Sequence, residues 1–137
     1  MKAKTIASIA RKHLKLVSKD KYYCQVNLQP HHDGSAHIED LPNGGYRYVC
    51  TERGQEYNEK TTDNPQDILY WIYKDATFEI ACRWEAVNRV TGQDSRRLIF
   101  SKQLELLKII GDEYALKKEK EIETLLLDRP FNDSSSS

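Results

Sequence analysis

The sequence has few cysteines and no excess of either charge. Its 137 residues include three cysteines, which are Cys24, Cys50 and Cys82. An odd number of cysteines at wide spacing does not form a disulfide framework, so we interpret them as reduced thiols in a cytosolic protein. Lysine plus arginine total 21, as do aspartate plus glutamate, so the formal net charge is zero. A neutral chain lacks the basic surface that binding to nucleic acid or to anionic membranes requires.

Long hydrophobic runs are also absent. The apolar stretch over residues 6–10 is interrupted at once by Arg11, Lys12 and His13. It is too short for the core of a secretory signal, and much shorter than the roughly 20 apolar residues of a membrane-spanning helix. We therefore expect a cytoplasmic protein that does not bind membranes.

The usual signatures of catalytic and metal sites are missing as well. The sequence contains no Gly-x-Ser-x-Gly motif, no phosphate-binding glycine loop and no pair of cysteines or histidines at zinc-binding spacing. His31 and His32 are adjacent, a pattern typical of an exposed turn. Glu79 and Glu85 are six residues apart on a predicted helix, which does not place them on the same face. We therefore predict no catalytic residue, no metal site and no cofactor.

Length and composition are typical of one soluble domain. Charged residues make up 31% of the chain and hydrophobic residues 39%, a balance that allows a chain of this length to bury one core. The last residues are polar and rich in serine. We predict a single domain over residues 1–133, followed by a disordered serine tail over residues 134–137.

Alternating apolar and polar residues predict a small sheet. The two-residue period covers residues 22–28, 36–39 and 45–53, which we predict to be strands. An Asn-Gly dipeptide, typical of hairpins, separates the second strand from the third. Three successive strands with short turns predict an antiparallel meander. The polar residues 55–64 predict a loop after the sheet.

Apolar residues at three- and four-residue intervals predict helices on both sides of the sheet. An amphipathic helix over residues 3–18 precedes the strands. Asn64 is a suitable N-cap for a long helix that runs from Pro65 to about Val90, with a bend or break near residues 75–77. The apolar residues predicted to form the core stripe of this helix are Ile68, Leu69, Ile72, Ala76, Ile80, Trp84 and Val87.

Two further helices complete the predicted fold. Asp94 is a suitable N-cap for the first, Gly111 marks a kink or restart, and the second ends near Leu127. The predicted fold class is α+β: an N-terminal helix, a three-stranded antiparallel β-meander, then a long helix and two further helices packed on the sheet.

Three groups of arginines and carboxylates stand out, at residues 51–56, 83–85 and 94–97. Such residues at the ends of elements form bidentate pairs that fix how elements dock. One interpretation is a structural ion-pair network that ties the sheet to both helices. Its candidate members are Arg53, Glu85, Asp94, Arg96 and Arg97. The other interpretation is that part of these groups forms a recognition surface.

Most residues of these groups belong to a longer series of motifs. In chain order these are Gly-Tyr-x-Tyr-x-x-x-Glu-Arg-Gly (45–54), Leu-Tyr-Trp-Ile-x-x-Asp (69–75), Trp-Glu (84–85), Asp-Ser-Arg-Arg-x-x-Phe-x-x-Gln-Leu-Glu-Leu-Leu (94–107), and a Glu-Ile-x-x-x-Leu helix that closes in Pro-Phe-Asn-Asp (121–133). With this series the chain resembles, over roughly residues 20–133, the polymorphic-toxin immunity proteins of immunity family sixty-three. Trp84 stands where that pattern has tyrosine, which exchanges one aromatic residue for another.

The resemblance implies a cytoplasmic protein that is not an enzyme and that neutralises a cognate secreted toxin domain by stoichiometric binding. Two alternatives stay open. The first is a regulatory or adaptor domain that binds another protein, which genomic context would distinguish. The second is a small hydrolase or nuclease built on Glu85, Asp94 and a histidine, which fails if both carboxylates are engaged only with arginines. Nothing in the sequence indicates the oligomeric state.

An inhibitor of this kind needs an exposed surface with aromatic or arginine anchors. Tyr23 and Tyr57 fit no predicted buried stripe, so we expect both to be exposed. The segment 52–67 is acidic and would be steered towards a basic toxin surface, such as that of a nuclease. The candidate partner-binding residues are Tyr23, Glu52, Glu56, Tyr57, Glu59 and Asp63.

Overall fold

The computed structural model describes residues 1–133, and the predicted serine tail over residues 134–137 lies outside them. The elements, in chain order, are α1 (Ala3–Leu14), a short 3-10 helix (Lys21–Cys24), β1 (Asp33–Asp40), β2 (Tyr46–Glu52), β3 (Gln55–Thr62), α2 (Pro65–Val87), α3 (Ser95–Ile110) and α4 (Asp112–Asp128). This order confirms the predicted α+β class. One compact unit spans Met1–Ile72 and a second begins at Tyr73, so α2 belongs to both. The single domain stays a prediction.

Helix α1 is shorter than predicted and is capped by the sheet. It ends at Leu14 instead of residue 18. Its buried residues recur at three and four, as the amphipathic pattern predicts, and are Ala3, Ile6, Ala7, Ala10 and Leu14. The side chain of Lys2 provides no N-cap. Instead, Asp40 at the end of β1 accepts a hydrogen bond from the backbone N–H of Ala3 at 2.9 Å. This bond joins the start of the helix to the sheet.

The sheet is an antiparallel meander in the order β1-β2-β3, as predicted, but the first predicted strand is wrong. Residues 22–28 do not form a strand of the sheet. Asp20 accepts from the N–H of Tyr22 at 2.9 Å and starts a 3-10 helix, which breaks the extended backbone. Further along, Asn27 forms a single parallel bridge with His37 of β1. The apolar alternation over 22–28 therefore spans the end of a capped 3-10 helix and a following segment that, within residues 1–133, makes only one bridge with the sheet.

The third strand of the sheet lies where a loop was predicted. β3 follows β2 through a two-residue turn in which Arg53 and Gly54 have φ of 51° and 80°. Two successive positive φ values are typical of the type I′ turn, whose twist matches a hairpin. Residues Gln55 to Thr61 are all exposed. An edge strand held by backbone hydrogen bonds needs no apolar side chains, so its sequence shows no hydrophobic period.

Helix α2 is continuous through residues 75–77, where a bend or break was predicted. Its buried side agrees with the predicted core stripe in the first turns and then departs from it. Residues Tyr73, Thr77, Ala81 and Glu85 are buried, whereas Val87 is 82% exposed. Thr77 donates from Oγ1 to the carbonyl of Tyr73 at 2.7 Å. Because a local hydrogen bond satisfies this hydroxyl, a polar residue occupies the buried side, which a pattern of apolar residues does not reveal.

One extended residue, Gly111, separates helices α3 and α4, and this confirms the predicted restart at that position. Buried Gln103 of α3 donates from Nε2 to the carbonyl of Lys74 in α2 at 2.9 Å. The rings of Tyr73 and Tyr114 pack edge to face, with their centroids 5.0 Å apart. These contacts join the second part of α2 to both later helices. Among residues 1–133, no helix is long and apolar enough to cross a membrane.

The N-cap of α2 provides a test of the fold. The side chain of Asn64 accepts from the N–H of Gln66 at 3.0 Å. We expect Asn64→Ala to lower the free energy of unfolding by about 1 kcal/mol, because this N–H loses its acceptor. Asn64→Asp keeps the acceptor and should match the wild type. Urea denaturation followed by circular dichroism measures both, and an alanine variant as stable as wild type would contradict the cap.

Candidate functional site

Arg47 lies at the centre of an acidic surface on the sheet. It sits in the middle strand, directly opposite Glu39 of β1, and donates from Nη1 to that carboxylate at 3.0 Å. Its Nε donates to Glu59 of β3 at 2.8 Å, and its Nη2 donates to Glu56. The hydrogen bonds that Arg47 donates to Glu56 and then to Glu59 raise its pKa above the ordinary value. Three carboxylates around one guanidinium leave the surface acidic.

A β-bulge brings Glu56 and Glu59 to the same guanidinium. Residues three apart in a regular strand point to opposite faces. Between the pairs Tyr48↔Lys60 and Cys50↔Tyr57, however, β3 contains one residue more than β2. Asn58 sits in this bulge with φ of 53°, a left-handed conformation that asparagine tolerates better than most residues. The extra residue places both glutamates on the face of Arg47.

The acidic side chains of this surface remain open to solvent. The side chains of Glu39, Glu56 and Glu59 are 40%, 52% and 54% exposed, whereas that of Arg47 is 15% exposed. The three paired carboxylates therefore cover most of the guanidinium, while their own side chains stay about half exposed to solvent. His37, almost fully buried, extends the group because its Nε2 lies 2.7 Å from Glu39 Oε2. The surface formed by Glu39, Arg47, Glu56 and Glu59 is called the acidic surface below.

The other predicted partner-binding residues are placed differently. Tyr57 is 40% exposed on β3, and its hydroxyl donates to the carbonyl of Gly34 at 3.0 Å. Glu52 ends β2 and Asp63 follows β3, and both are exposed. Tyr23 is half-buried in the 3-10 helix, where the centroid of its ring lies 5.1 Å from that of Tyr22. The structure therefore gathers Glu56 and Glu59, and places Tyr23 in a separate segment.

A second cluster holds the end of the described chain against the start of α3. Asp94 N-caps α3 by accepting from the N–H of Arg96 at 3.0 Å, and it also accepts from the N–H of Asn132 at 2.9 Å. Arg96 pairs with the same carboxylate and donates to the carbonyls of Arg129 and Pro130 at 2.9 and 2.8 Å. One acid and one arginine thus bind the backbone of residues 129, 130 and 132.

Arg97 and Phe131 complete this cluster. Arg97 makes a bidentate pair with Asp133, at 2.8 and 3.1 Å. Asp133 also accepts from the backbone N–H of Asp94 at 3.0 Å. The ring of Phe131 lies 4.2 Å from the guanidinium carbon of Arg97 and 6.1 Å from the ring of Phe100. We call the group Asp94, Arg96, Arg97, Phe131 and Asp133 the C-terminal clasp.

The five candidates for the ion-pair network are thus divided. Asp94, Arg96 and Arg97 meet in the C-terminal clasp. Glu85, almost fully buried, instead accepts both hydrogen bonds of Arg89, one turn along α2, at 3.1 Å each. Arg53 lies in the exposed β2-β3 turn, where its backbone N–H donates to the carbonyl of His32. The partners Arg89 and Asp133 were not among the predicted members.

The central residue of the acidic surface was missed by reasoning from the sequence. Arg47 lies in a strand whose alternation was recognised, on the face opposite Tyr46 and Tyr48. That alternation places the arginine on the face of β2 that does not carry the two tyrosines. Its partners follow only from the strand register and the bulge. Asp133, by contrast, carried a signal, because it belongs to the Pro-Phe-Asn-Asp motif.

The hydrolase alternative requires available carboxylates at Glu85 and Asp94. Glu85 is engaged by Arg89, and Asp94 by Arg96 and two backbone N–H groups. Over residues 1–133, no group of three or more histidine, cysteine, aspartate or glutamate side chains could hold a metal ion. The arrangement of these two carboxylates therefore favours a structural role over acid–base chemistry.

The C-terminal clasp predicts that its arginines stabilise the protein. We expect Arg96→Ala to lower the free energy of unfolding by about 2 kcal/mol, because the Asp94 carboxylate and two carbonyls lose a charged donor. Arg97→Ala should destabilise less, since its pair with Asp133 is more exposed. Arg83→Ala, at an exposed arginine of α2, is the matched control. Thermal and urea denaturation measure all three, and unchanged stability in both clasp variants would remove the proposed role.

The clasp also predicts an acid-sensitive part of the stability. Hydrogen bonds from the side chain of Arg96 and from the N–H groups of Asn132 and Arg96 hold the pKa of Asp94 far below its ordinary value. Such a carboxylate stabilises the fold above about pH 4, and this contribution is lost as the pH falls towards the folded-state pKa.

Comparison with Asp94→Asn, which keeps a capping oxygen, isolates this contribution. The difference in unfolding free energy between wild type and variant should be largest near about pH 6 and shrink towards about pH 3. Urea denaturation at both pH values measures it. A difference that does not change with pH would contradict an ionised Asp94.

The central part of the chain matches a known protein family. Residues 43–124, more than half of the chain, match the model of Immunity protein 63. No curated protein and no solved structure matches the chain significantly. The match covers β2, β3, α2, α3 and most of α4, and it confirms the resemblance carried by the motifs. The chain belongs to the Immunity protein 63 family.

Proposed function

We propose that this protein is an immunity protein that neutralises a cognate secreted toxin domain by binding it stoichiometrically in the cytoplasm. The observation that carries the proposal is membership of the Immunity protein 63 family. The protein acts by covering the toxin and catalyses no reaction. The engagement of Glu85 by Arg89 and of Asp94 by Arg96 supports this non-enzymatic role.

The acidic surface is the best-supported contact region for such a partner. It presents three exposed carboxylates on one face of the sheet, and the exposed ring of Tyr57 projects from the other face of the same edge strand. Carboxylates attract basic partners over distance and speed their association, while a tyrosine provides contact area at low conformational cost. Glu52, on the face of Tyr57, and Asp63, which follows β3, add negative charge near the two ends of this strand. A toxin domain with a basic surface, such as a nuclease, fits these features.

The exposed ring of Tyr22 is a second candidate anchor, which replaces Tyr23 in this role. Tyr22 is 59% exposed, whereas Tyr23 is half-buried. A tyrosine exposed to this extent on a short turn is typical of contact residues. Tyr22→Ala therefore belongs in any scan of the interface.

Co-expression with the neighbouring gene tests the proposal. We expect that gene to encode a large secreted toxin with a variable C-terminal domain. Production of that domain alone should stop growth, and production together with this protein should restore it. The two proteins should co-purify at a one-to-one ratio, because inhibition by covering requires one inhibitor for each toxin.

Two results would count against this function. Continued killing in cells that contain a soluble complex would show that binding does not inhibit. A neighbouring gene of another kind, with a different protein as its stable partner, would support the regulatory or adaptor alternative.

A further inference from the structure

The outer edge of β3 has no neighbour in the sheet. β3 ends the strand order, and within residues 1–133 its backbone pairs with no strand except β2. Its eight residues, at about 3.4 Å each, present an edge roughly 27 Å long. Exposed N–H and C=O groups along such an edge can pair with another extended chain.

The opposite edge of the sheet is already occupied. Along β1, the N–H of Ile38 donates to the carbonyl of Asn27 at 3.0 Å. The side chain of Asn27 donates to the carbonyl of Ala36 at 3.4 Å. The segment around Asn27 therefore covers part of β1, and β3 is the edge that remains available for an added strand.

The charges of β3 disfavour pairing with a second copy of this chain. In an antiparallel pair of two β3 strands centred between Tyr57 and Asn58, Glu56 of each copy would lie opposite Glu59 of the other. Like charges in directly opposed positions destabilise a sheet. The bulge at Asn58 further interrupts regular pairing. The same carboxylates would stabilise a strand that carries lysine or arginine.

The bulge also sets the spacing that such a partner needs. Glu56 lies opposite Thr51, and the bulge that contains Glu59 lies opposite Val49, so the two glutamates are spaced like residues two apart in a regular strand. Both point to the face of Arg47, whose guanidinium already engages one oxygen of each. A partner strand would therefore place two basic side chains two residues apart on that face.

We propose that an extended basic segment of the toxin domain pairs with the outer edge of β3 as a fourth strand, with lysine or arginine side chains bound to Glu56 and Glu59. This inference rests on the proposed function and specifies how and by which chemistry the partner binds. The backbone of β3 supplies hydrogen bonds, and the acidic surface selects a basic partner.

Binding of the toxin domain encoded by the neighbouring gene, inactivated by mutation, tests this mode. The double variant Glu56→Gln and Glu59→Gln keeps an acceptor for Arg47 and removes two charges. We expect its affinity to fall at least about tenfold, with a weaker dependence on salt. The matched control, Glu119→Gln with Glu123→Gln on exposed positions of α4, removes the same charge and should change affinity less than about twofold. Thermal unfolding verifies that both variants fold.

Hydrogen exchange of the wild-type complex tests the added strand itself. Amides of Gln55–Thr62 that exchange freely in the isolated protein should become protected in the complex. A double variant that binds like wild type, or β3 amides that stay unprotected, would overturn this mode and leave the proposed function intact. A wild-type protein that binds no such domain would overturn both. Self-association through β3 would also contradict the inference.

Discussion

Glu56 and Glu59 reach one guanidinium only because β3 contains one more residue than the strand beside it. Without the bulge at Asn58, the two carboxylates would point to opposite faces and Arg47 would keep Glu39 and one other partner. The left-handed φ of Asn58 is the local cost of this arrangement. The concentration of negative charge on one face of the sheet, and the spacing it offers to a partner, both follow from this single insertion.

The two clusters of charged residues have different relations to the motifs of the family. Asp94, Arg96 and Arg97 belong to a motif and are engaged with backbone and side chains at the end of the described chain. Glu56 and Glu59, in contrast, lie between two motifs and keep exposed oxygens. We propose that this division separates residues that maintain the fold from residues that contact a partner. It is the arrangement expected where related inhibitors share a scaffold and bind different toxins.

Local signals in the sequence predicted the features that depend on a few neighbouring residues. Asn64 and Asp94 were recognised as helix caps and Gly111 as a restart, because each acts on backbone groups close by. The strand over 22–28 was wrong because one side chain, Asp20, redirects the backbone there. β3 was missed because both of its faces are exposed and a hydrophobic period cannot form. The centre at Arg47 depends on the register of three strands and on a bulge, which no single segment encodes.

The C-terminal clasp also has a consequence for how the protein is made. At the N-terminal end of α3, Asp94 accepts a hydrogen bond from Asn132 and donates one to Asp133, about forty residues later in the chain. While the chain is being synthesised, α3 and α4 emerge before these residues exist outside the ribosome. Arg96 can already pair with Asp94, but its carbonyl acceptors at Arg129 and Pro130 and the Arg97 partner Asp133 are available only after translation has passed residue 133. Assembly of this cluster is a late step, and a nascent chain that stalls earlier would lack the contacts that Asn132 and Asp133 make with this helix end.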